Sequence, residues 1–285
     1  MTRKTYAIVG LGLLGGSYAK GLYDAGYEVI GIARRQETID YALAHNYITQ
    51  GSTNAADVAK ADLVILCLYP KLMLSWIHEN KQYFKKGAIV SDIAGVKRNL
   101  VLPIQEALED TDAQFISTHP MAGKEVSGIE HADPAIFHKA NFIIVPTKQN
   151  SESAIQAMMD VADILQFQHI SLLSIDEHDR MIGFLSQLTH VIAVSLMNTH
   201  DNDKLVDYTG DSFRDLTRIA KINEDMWTEL FLFNKDILLE EIEAFEASLD
   251  AFKIALQNDD EQAMKNLFIQ STNRRKKFDK KPGKS

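Results

Sequence analysis

The chain has 285 residues, 46% hydrophobic and 24% charged, the balance of an ordinary soluble globular protein long enough for two domains. Its formal net charge of -9 argues against a general nucleic-acid role, which needs a basic face, although residues 274–284 gather seven basic side chains against one acidic one. The single cysteine, Cys67, excludes an intrachain disulfide and fits a reducing cytoplasm. No run reaches the roughly 18 uninterrupted apolar residues of a membrane span, and no apolar signal region precedes the first strand.

From the N-terminus, short apolar runs rich in β-branched residues alternate with helical patterns. Strands are predicted at 6–9, 28–33, 62–68, 88–92, 114–117, 142–146 and 169–173. Helices are predicted between them at 15–25, 37–45, 72–80, 99–109 and 151–165. The alternation implies βαβ units and a doubly wound, mostly parallel sheet, an α/β Rossmann-type domain. Beyond residue 173 the pattern turns all-helical, with helices predicted at 176–198, 226–257 and 260–275. The expected organisation is a dinucleotide-binding domain over 1–173, an all-α substrate and dimerisation domain over 174–275, and a basic, disordered tail over 276–285.

Gly10-Leu11-Gly12-Leu13-Leu14-Gly15 matches G-x-G-x-x-G between the first strand and the first helix, the context that motif requires. Gly10 permits the tight turn, Gly12 the approach of a pyrophosphate, and Gly15 close helix–strand packing. The helix N-terminus, Leu13 and Leu14 included, then offers N–H groups to phosphates, with Ser17 as an added hydroxyl. An acid at the end of the second strand favours NAD, but here Ala33 is followed by Arg34 and Arg35. Those arginines suit the 2′-phosphate of NADP, or stand as two solvated charges.

Ser117-Thr118-His119-Pro120-Met121-Ala122-Gly123-Lys124-Glu125 follows a strand end, where ligands of open parallel sheets bind. Read alone, His119 is either a structural loop histidine or a base for an alcohol proton. In Gly210-Asp211-Ser212-Phe213-Arg214-Asp215-Leu216-Thr217-Arg218, Arg214 and Arg218 share a face if the segment is one helix. The group is either a guanidinium clamp for a carboxylate or a surface ion-pair ladder. His190, in Ser186-Gln187-Leu188-Thr189-His190, lies inside an apolar helix, and Cys67 reads as a small buried hydrophobe.

Taken together, the glycine loop through Ser17, His119–Glu125, Ser186–His190 and Phe213–Ala220 with Trp227 resemble the prephenate dehydrogenase family, from about residue 5 to 275. The resemblance implies NAD(P)-dependent oxidative decarboxylation of prephenate to 4-hydroxyphenylpyruvate in tyrosine biosynthesis. It implies His119 as the catalytic group at the substrate hydroxyl and Arg218 as the substrate-carboxylate site. It further implies Asp215 and Glu125 as residues that orient charges around the pocket, His190 as a pocket histidine, and Trp227 as a packing residue. The family lean is to NAD and to a homodimer, since the helical region carries more apolar surface than a small domain buries. One departure stands out: in Asp92-Ile93-Ala94-Gly95-Val96-Lys97, Gly95 occupies the place of a family serine that bonds the histidine and substrate hydroxyl, a role left to water or Ser91. Some members continue through a basic linker into a regulatory ACT module; this chain stops within such a stretch. Competing expectations are an arogenate dehydrogenase, a non-catalytic dinucleotide-sensing regulator, and a β-hydroxyacid dehydrogenase, for which no Lys-x-x-x-Asn pairing is found in 176–198. No metal site is expected.

Overall fold

The computed structural model describes residues 4–124 and 126–279. Its first part is an eight-stranded sheet: β1 (Thr5–Val9), β2 (Glu28–Ile32), β3 (Gln50–Ser52), β4 (Leu63–Leu66), β5 (Ile89–Asp92), β6 (Gln114–Pro120), β7 (Asn141–Val145) and β8 (His169–Leu172). The spatial order is β3-β2-β1-β4-β5-β6-β7-β8, parallel throughout except where β6 meets β7. Seven strands lie where the apolar runs place them. The eighth, β3, is three residues with no apolar side chain, so periodicity gave no sign of it.

Both faces of the sheet are covered, as buried parallel strands require. Tyr6 and Ile8 of β1 join a core with α1 (Leu13–Asp24) and α5 (Glu152–Ile164); their neighbours Ala7 and Val9 join the opposite core with α3 (Pro70–Asn80) and α4 (Val101–Ala107). Helix α2 (Gln36–Ala44) packs Ile39 and Ala42 into the first of these cores. This alternation is the period of two expected of a strand. All four residues of β4 are at most 2% exposed.

After β8 the described residues form helices and turns only. Helix α6 (Ile175–Ile182) starts on a reciprocal capping box between Ser174 and Glu177. It runs through a π-helical turn, Gly183–Leu188, into α7 (Thr189–Met197). The continuous run Ile175–Met197 is, by length and composition alone, long and apolar enough to cross a membrane, a match the uninterrupted-run criterion missed. Buried hydrogen bonds of Asp179 and Gln187 tie it to the remainder of the fold.

Helix α8 (Asp211–Thr217) gives way to a 3-10 turn, Arg218–Ala220, and then α9 (Glu224–Phe233). The single helix expected over 226–257 is two: Asn234 leaves helical geometry (φ -119, ψ 27) before α10 (Lys235–Gln257). Its side chain is buried and bonded to Asp179 and Gln187, a tertiary demand that overrides the local apolar period. The chain divides into two compact units between Lys235 and Asp236. In the second, α10 and α11 (Glu261–Arg275) bring Phe252 and Phe268 together, ring centroids 5.9 Å apart. The tail expected to be disordered begins with a 3-10 turn, Lys276–Phe278, and its residues from 280 onward lie outside those described.

Candidate active site

Parallel pairing aligns Val9, Leu66, Asp92 and Ser117 in one row across the sheet's C-terminal edge. The glycine loop leaves this edge after Val9, and His119 lies two residues past Ser117. Three strand spacings of about 4.8 Å put the two features on the order of 14 Å apart.

The loop's geometry fits a dinucleotide phosphate. Gly10 has φ +95, and a Cβ there would lie 2.4 Å from the Cys67 carbonyl oxygen. A Cβ on Gly15 would lie 1.8 Å from the Gly10 carbonyl, so only glycine lets α1 start so close to β1. Gly12, the N-cap residue, is exposed, and a Cβ on it would meet nothing within 4 Å. Helix α1 has no capping side chain and no acid in its first turn, leaving its N–H groups and positive dipole end for a phosphate. Leu13 and Leu14 open this helix, half-buried. Ser17 departs from expectation: its buried hydroxyl donates to the Leu13 carbonyl (2.7 Å) and accepts from the Asp133 N–H (3.0 Å). Its donor capacity is used within the protein. Arg34 and Arg35 are exposed between β2 and α2.

At the other end of the row a buried ionic frame holds β6. Lys97 Nζ donates to Asp92 Oδ2 (2.9 Å) and to the Thr118 carbonyl (2.8 Å). Asp92 Oδ1 accepts from Ser117 Oγ (2.5 Å) and the Thr118 N–H (3.2 Å). Both charged side chains are fully buried, and burial lowers the Lys97 ammonium pKa against the opposing pull of Asp92. Ser91 Oγ lies 3.2 Å from Thr118 Oγ1 and 3.5 Å from the Asp92 carbonyl, inside this frame. It is therefore engaged away from the role that a missing family serine would leave it.

His119 is not in a loop. It belongs to β6, paired with Ile143 of β7. Its Nδ1 lies 2.9 Å from His178 Nε2, and His178 Nδ1 lies 2.7 Å from Asp179 Oδ1. The Asp179 carboxylate also accepts from the backbone N–H groups of Lys97 (2.9 Å) and Arg98 (2.8 Å). These contacts order the protons. His178 donates from Nδ1 to the carboxylate, so its Nε2 accepts from the His119 Nδ1–H. The lone pair of His119 is thereby left on Nε2. Burial, then His178 and Lys97, hold His119 well below the usual imidazole pKa; burial also lowers His178, against the pull of Asp179. Both rings are neutral at pH 7.

His178 and Asp179 complete this hydrogen-bonded cluster with His119, and sequence reasoning missed both. The available signal was a histidine and an acid three and four residues after Ile175, on the apolar side of a capped helix, in a stretch that reads as a charged N-terminal turn. Beside them, a Cβ on Gly95 would lie 3.7 Å from His119 Nε2 and Cε1 and 3.6 Å from Leu230 Cδ2, ordinary van der Waals distances. A small side chain fits there, next to the nitrogen that carries the lone pair.

The remaining expected residues collect around α7. His190 Nδ1 contacts the Ser186 carbonyl (2.8 Å), and its ring lies on that of Trp227, centroids 3.7 Å apart. Helix α8 and the Arg218 turn pack on α7. Arg214 and Arg218 do not share one helix face: α8 closes at Thr217, and Arg214 turns to the Thr209 carbonyl (2.6 Å) and Asp211 (3.3 Å). Arg218 and Asp215 are exposed. Glu125 lies outside the described residues. Burial and Asp92 push the Cys67 thiol up, which leaves it a poor nucleophile. Among the described residues no cluster of three or more His, Cys, Asp or Glu could hold a metal.

Two family descriptions match the chain in tandem: prephenate dehydrogenase, nucleotide-binding domain, over residues 18–168, and prephenate dehydrogenase, dimerization domain, over 174–270. The chain is 30% identical over 275 residues to a prephenate dehydrogenase of Lactococcus lactis subsp. cremoris, covering 93% of this chain and 75% of that protein. It is 28% identical over 277 residues to a cyclohexadienyl dehydrogenase of Zymomonas mobilis, covering 94% of each. A crystal structure of prephenate dehydrogenase from A. aeolicus, in complex with hydroxyphenyl propionate and NAD+, superposes with TM-score 0.87 at 28% identity, covering 97% of this chain and 99% of that one.

Proposed function

Because the chain belongs to the prephenate dehydrogenase family, we propose that it oxidises and decarboxylates prephenate to 4-hydroxyphenylpyruvate with a nicotinamide dinucleotide, and that His119 Nε2 receives the proton of the substrate hydroxyl. The observation that carries this reading is the His119–His178–Asp179 chain, which leaves a neutral, correctly protonated acceptor at the edge of the sheet two residues past the row begun by the glycine loop.

Gly10, Gly12 and Gly15, with the N–H groups at Leu13 and Leu14, would hold the pyrophosphate. The bound dinucleotide supplies the hydride acceptor for the oxidation. His119 takes the hydroxyl proton as the carbon beneath it is oxidised, and His178 and Asp179 stabilise the charge that then develops on the ring. Loss of the ring carboxylate as CO2 makes the product aromatic and the step effectively irreversible. Arg218 is the expected carboxylate partner, with His190, Asp215 and Glu125 shaping the pocket.

Two finer points belong to the same reading. Arg34 and Arg35 stand where an acid would bind a free ribose, so NADP is accepted as well as NAD. The chain acts as a homodimer through its helical domain, 174–275, with the dinucleotide domain over 1–173. Support comes from the matched dimerization-domain description and from exposed apolar side chains such as Val206, Tyr208, Leu216, Leu249 and Phe268.

The test is steady-state turnover of prephenate and of arogenate, each with NAD and with NADP. Prephenate turnover is expected; reaction with arogenate alone refutes the substrate assignment. A monomeric mass in solution refutes the dimer.

A further inference from the structure

Helix α9 carries a buried carboxylate that the proposed reaction does not use. Glu229 Oε1 accepts from the Lys71 N–H at 2.5 Å, 158 residues away in sequence. Lys71 is in the first turn of α3, which has no capping side chain, no acid of its own in that turn, and a proline at its first position. Glu229 therefore serves as that helix's N-terminal acid from outside. Helix α3 begins just beyond the C-terminal edge of β4, after the Cys67 carbonyl that Gly10 approaches so closely.

Five residues on, the far end of α9 is tied down again. Asn234 Nδ2 donates to the Asp179 carbonyl (3.0 Å) and to Gln187 Oε1 (2.8 Å), and Gln187 Nε2 donates to the Leu230 carbonyl (3.1 Å). Gln187 takes this position in the π-helical turn, a local irregularity of the kind found at working sites. Between the two ties stands Leu230, whose Cδ2 borders the same point beside Gly95 as His119 Nε2.

We propose that Glu229 and Asn234 are positioning residues: together they fix α9 so that Leu230 closes the Nε2 side of His119 against water. The inference rests on His119 being the proton acceptor. The groups facing His119 are His178, backed by Asp179, from α6, and Lys97, paired with Asp92, from β5 and the segment after it. From β7 it meets the apolar Ile143, and Glu229 is turned away to α3. With Lys97, Asp92, Asp179 and Glu229 each already partnered, water admitted past Leu230 is the change that moves the ring's proton affinity.

The experiment titrates the His119 ring by NMR, assigned by its loss in His119→Asn, in the full chain and in Glu229→Gln, Asn234→Ala and Leu230→Ala. Prephenate kinetics and dinucleotide binding by fluorescence are measured on the same samples. In all three variants the His119 midpoint is expected to rise by about one pH unit, and kcat to fall about 10- to 100-fold, with dinucleotide affinity held within about twofold. Leu230→Ala keeps both ties, so it reports the closure itself if the other two fold poorly. An unmoved midpoint in folded variants overturns the proposal, whatever happens to the rate. If the parent chain does not turn over prephenate, the functional reading fails while the titration still decides the role of α9.

Discussion

His178 stands between His119 and Asp179, 2.9 Å from the first and 2.7 Å from the second, and so decides which nitrogen of His119 is free to accept a proton. A histidine on a strand and a carboxylate on a helix, 60 positions apart in the chain, are joined through one imidazole.

Replacing His119 with asparagine keeps a side chain of similar reach but removes the base. kcat for prephenate is expected to fall by about 10²–10⁴. Dinucleotide affinity, read by fluorescence titration, stays at the parent value. Retention of kcat refutes the assigned role and revives a non-catalytic, dinucleotide-sensing protein.

Asp179→Asn exchanges an acceptor for a side chain that also donates. It removes the preference for protonated Nδ1 on His178 and with it the lone pair on His119 Nε2. kcat is expected to fall about 10²-fold or more, as tautomer errors in buried imidazoles do. The Lys97 and Arg98 N–H groups also lose a charged partner, so the melting temperature drops as well. A variant with parent kcat and lowered melting temperature makes Asp179 purely structural.

Gly95→Ser places a Cβ at 3.6–3.7 Å from its neighbours, within ordinary contact. The variant is expected to fold with parent stability and to keep at least parent kcat/KM, its hydroxyl reaching the Nε2 side of His119. Gly95→Leu fills the same space and is expected to abolish prephenate turnover while dinucleotide binding persists. Normal kinetics in Gly95→Leu rule out substrate beside Gly95.

The pH dependence follows from the depressed imidazoles. His119 and His178 titrate below their unfolded value near 6.5. The acidic limb of kcat/KM therefore lies below pH 6.5, with a flat rate through neutrality. Between the unfolded and folded values the unfolded chain binds more protons, so stability rises with pH there and is lost as pH falls below about 6.5. Urea unfolding at pH 5 and pH 7.5 checks the sign; greater stability at pH 5 contradicts it. In His119→Asn the difference shrinks.

Arg34→Asp with Arg35→Ser converts a phosphate-binding turn into a ribose-binding one. KM for NADP is expected to rise about 10-fold or more, the worth of a charge-assisted contact, with KM for NAD unchanged or lower. Equal effects on both dinucleotides mean that neither arginine reads the 2′ position.

Much of this architecture is written locally. Tyr6-Ala7-Ile8-Val9 followed by Gly10-x-Gly12-x-x-Gly15 announces strand, turn and helix because each feature has a short-range physical cause. His119 was legible by its place after an apolar strand, although the strand runs on to Pro120 and carries the ring itself. His178 and Asp179 were not legible, since a histidine and an acid just after the acidic first turn of a helix read as solvated charge until β5's following segment is laid against them. The break at Asn234 was hidden for a similar reason: apolar residues keep helical spacing on both sides, and only bonds to Asp179 and Gln187 explain the interruption. Ser17 shows the reverse error, a motif residue whose hydroxyl the fold has already used.

On the β5 side, the sheet's last rung beside His119 is made without a peptide. Main-chain pairing of β5 with β6 stops at Asp92 and Ser117, yet the N–H and carbonyl of Thr118 are both taken, by the Asp92 carboxylate and the Lys97 ammonium. Two side chains stand in for a strand, and they are slimmer than one, so the sheet reaches past its own edge while Gly95 keeps open ground beside the ring. Such a rung is held by ionisation. Discharging either partner would release the β5 side of the strand end while β7 still holds the other, and the first residue past that rung is His119.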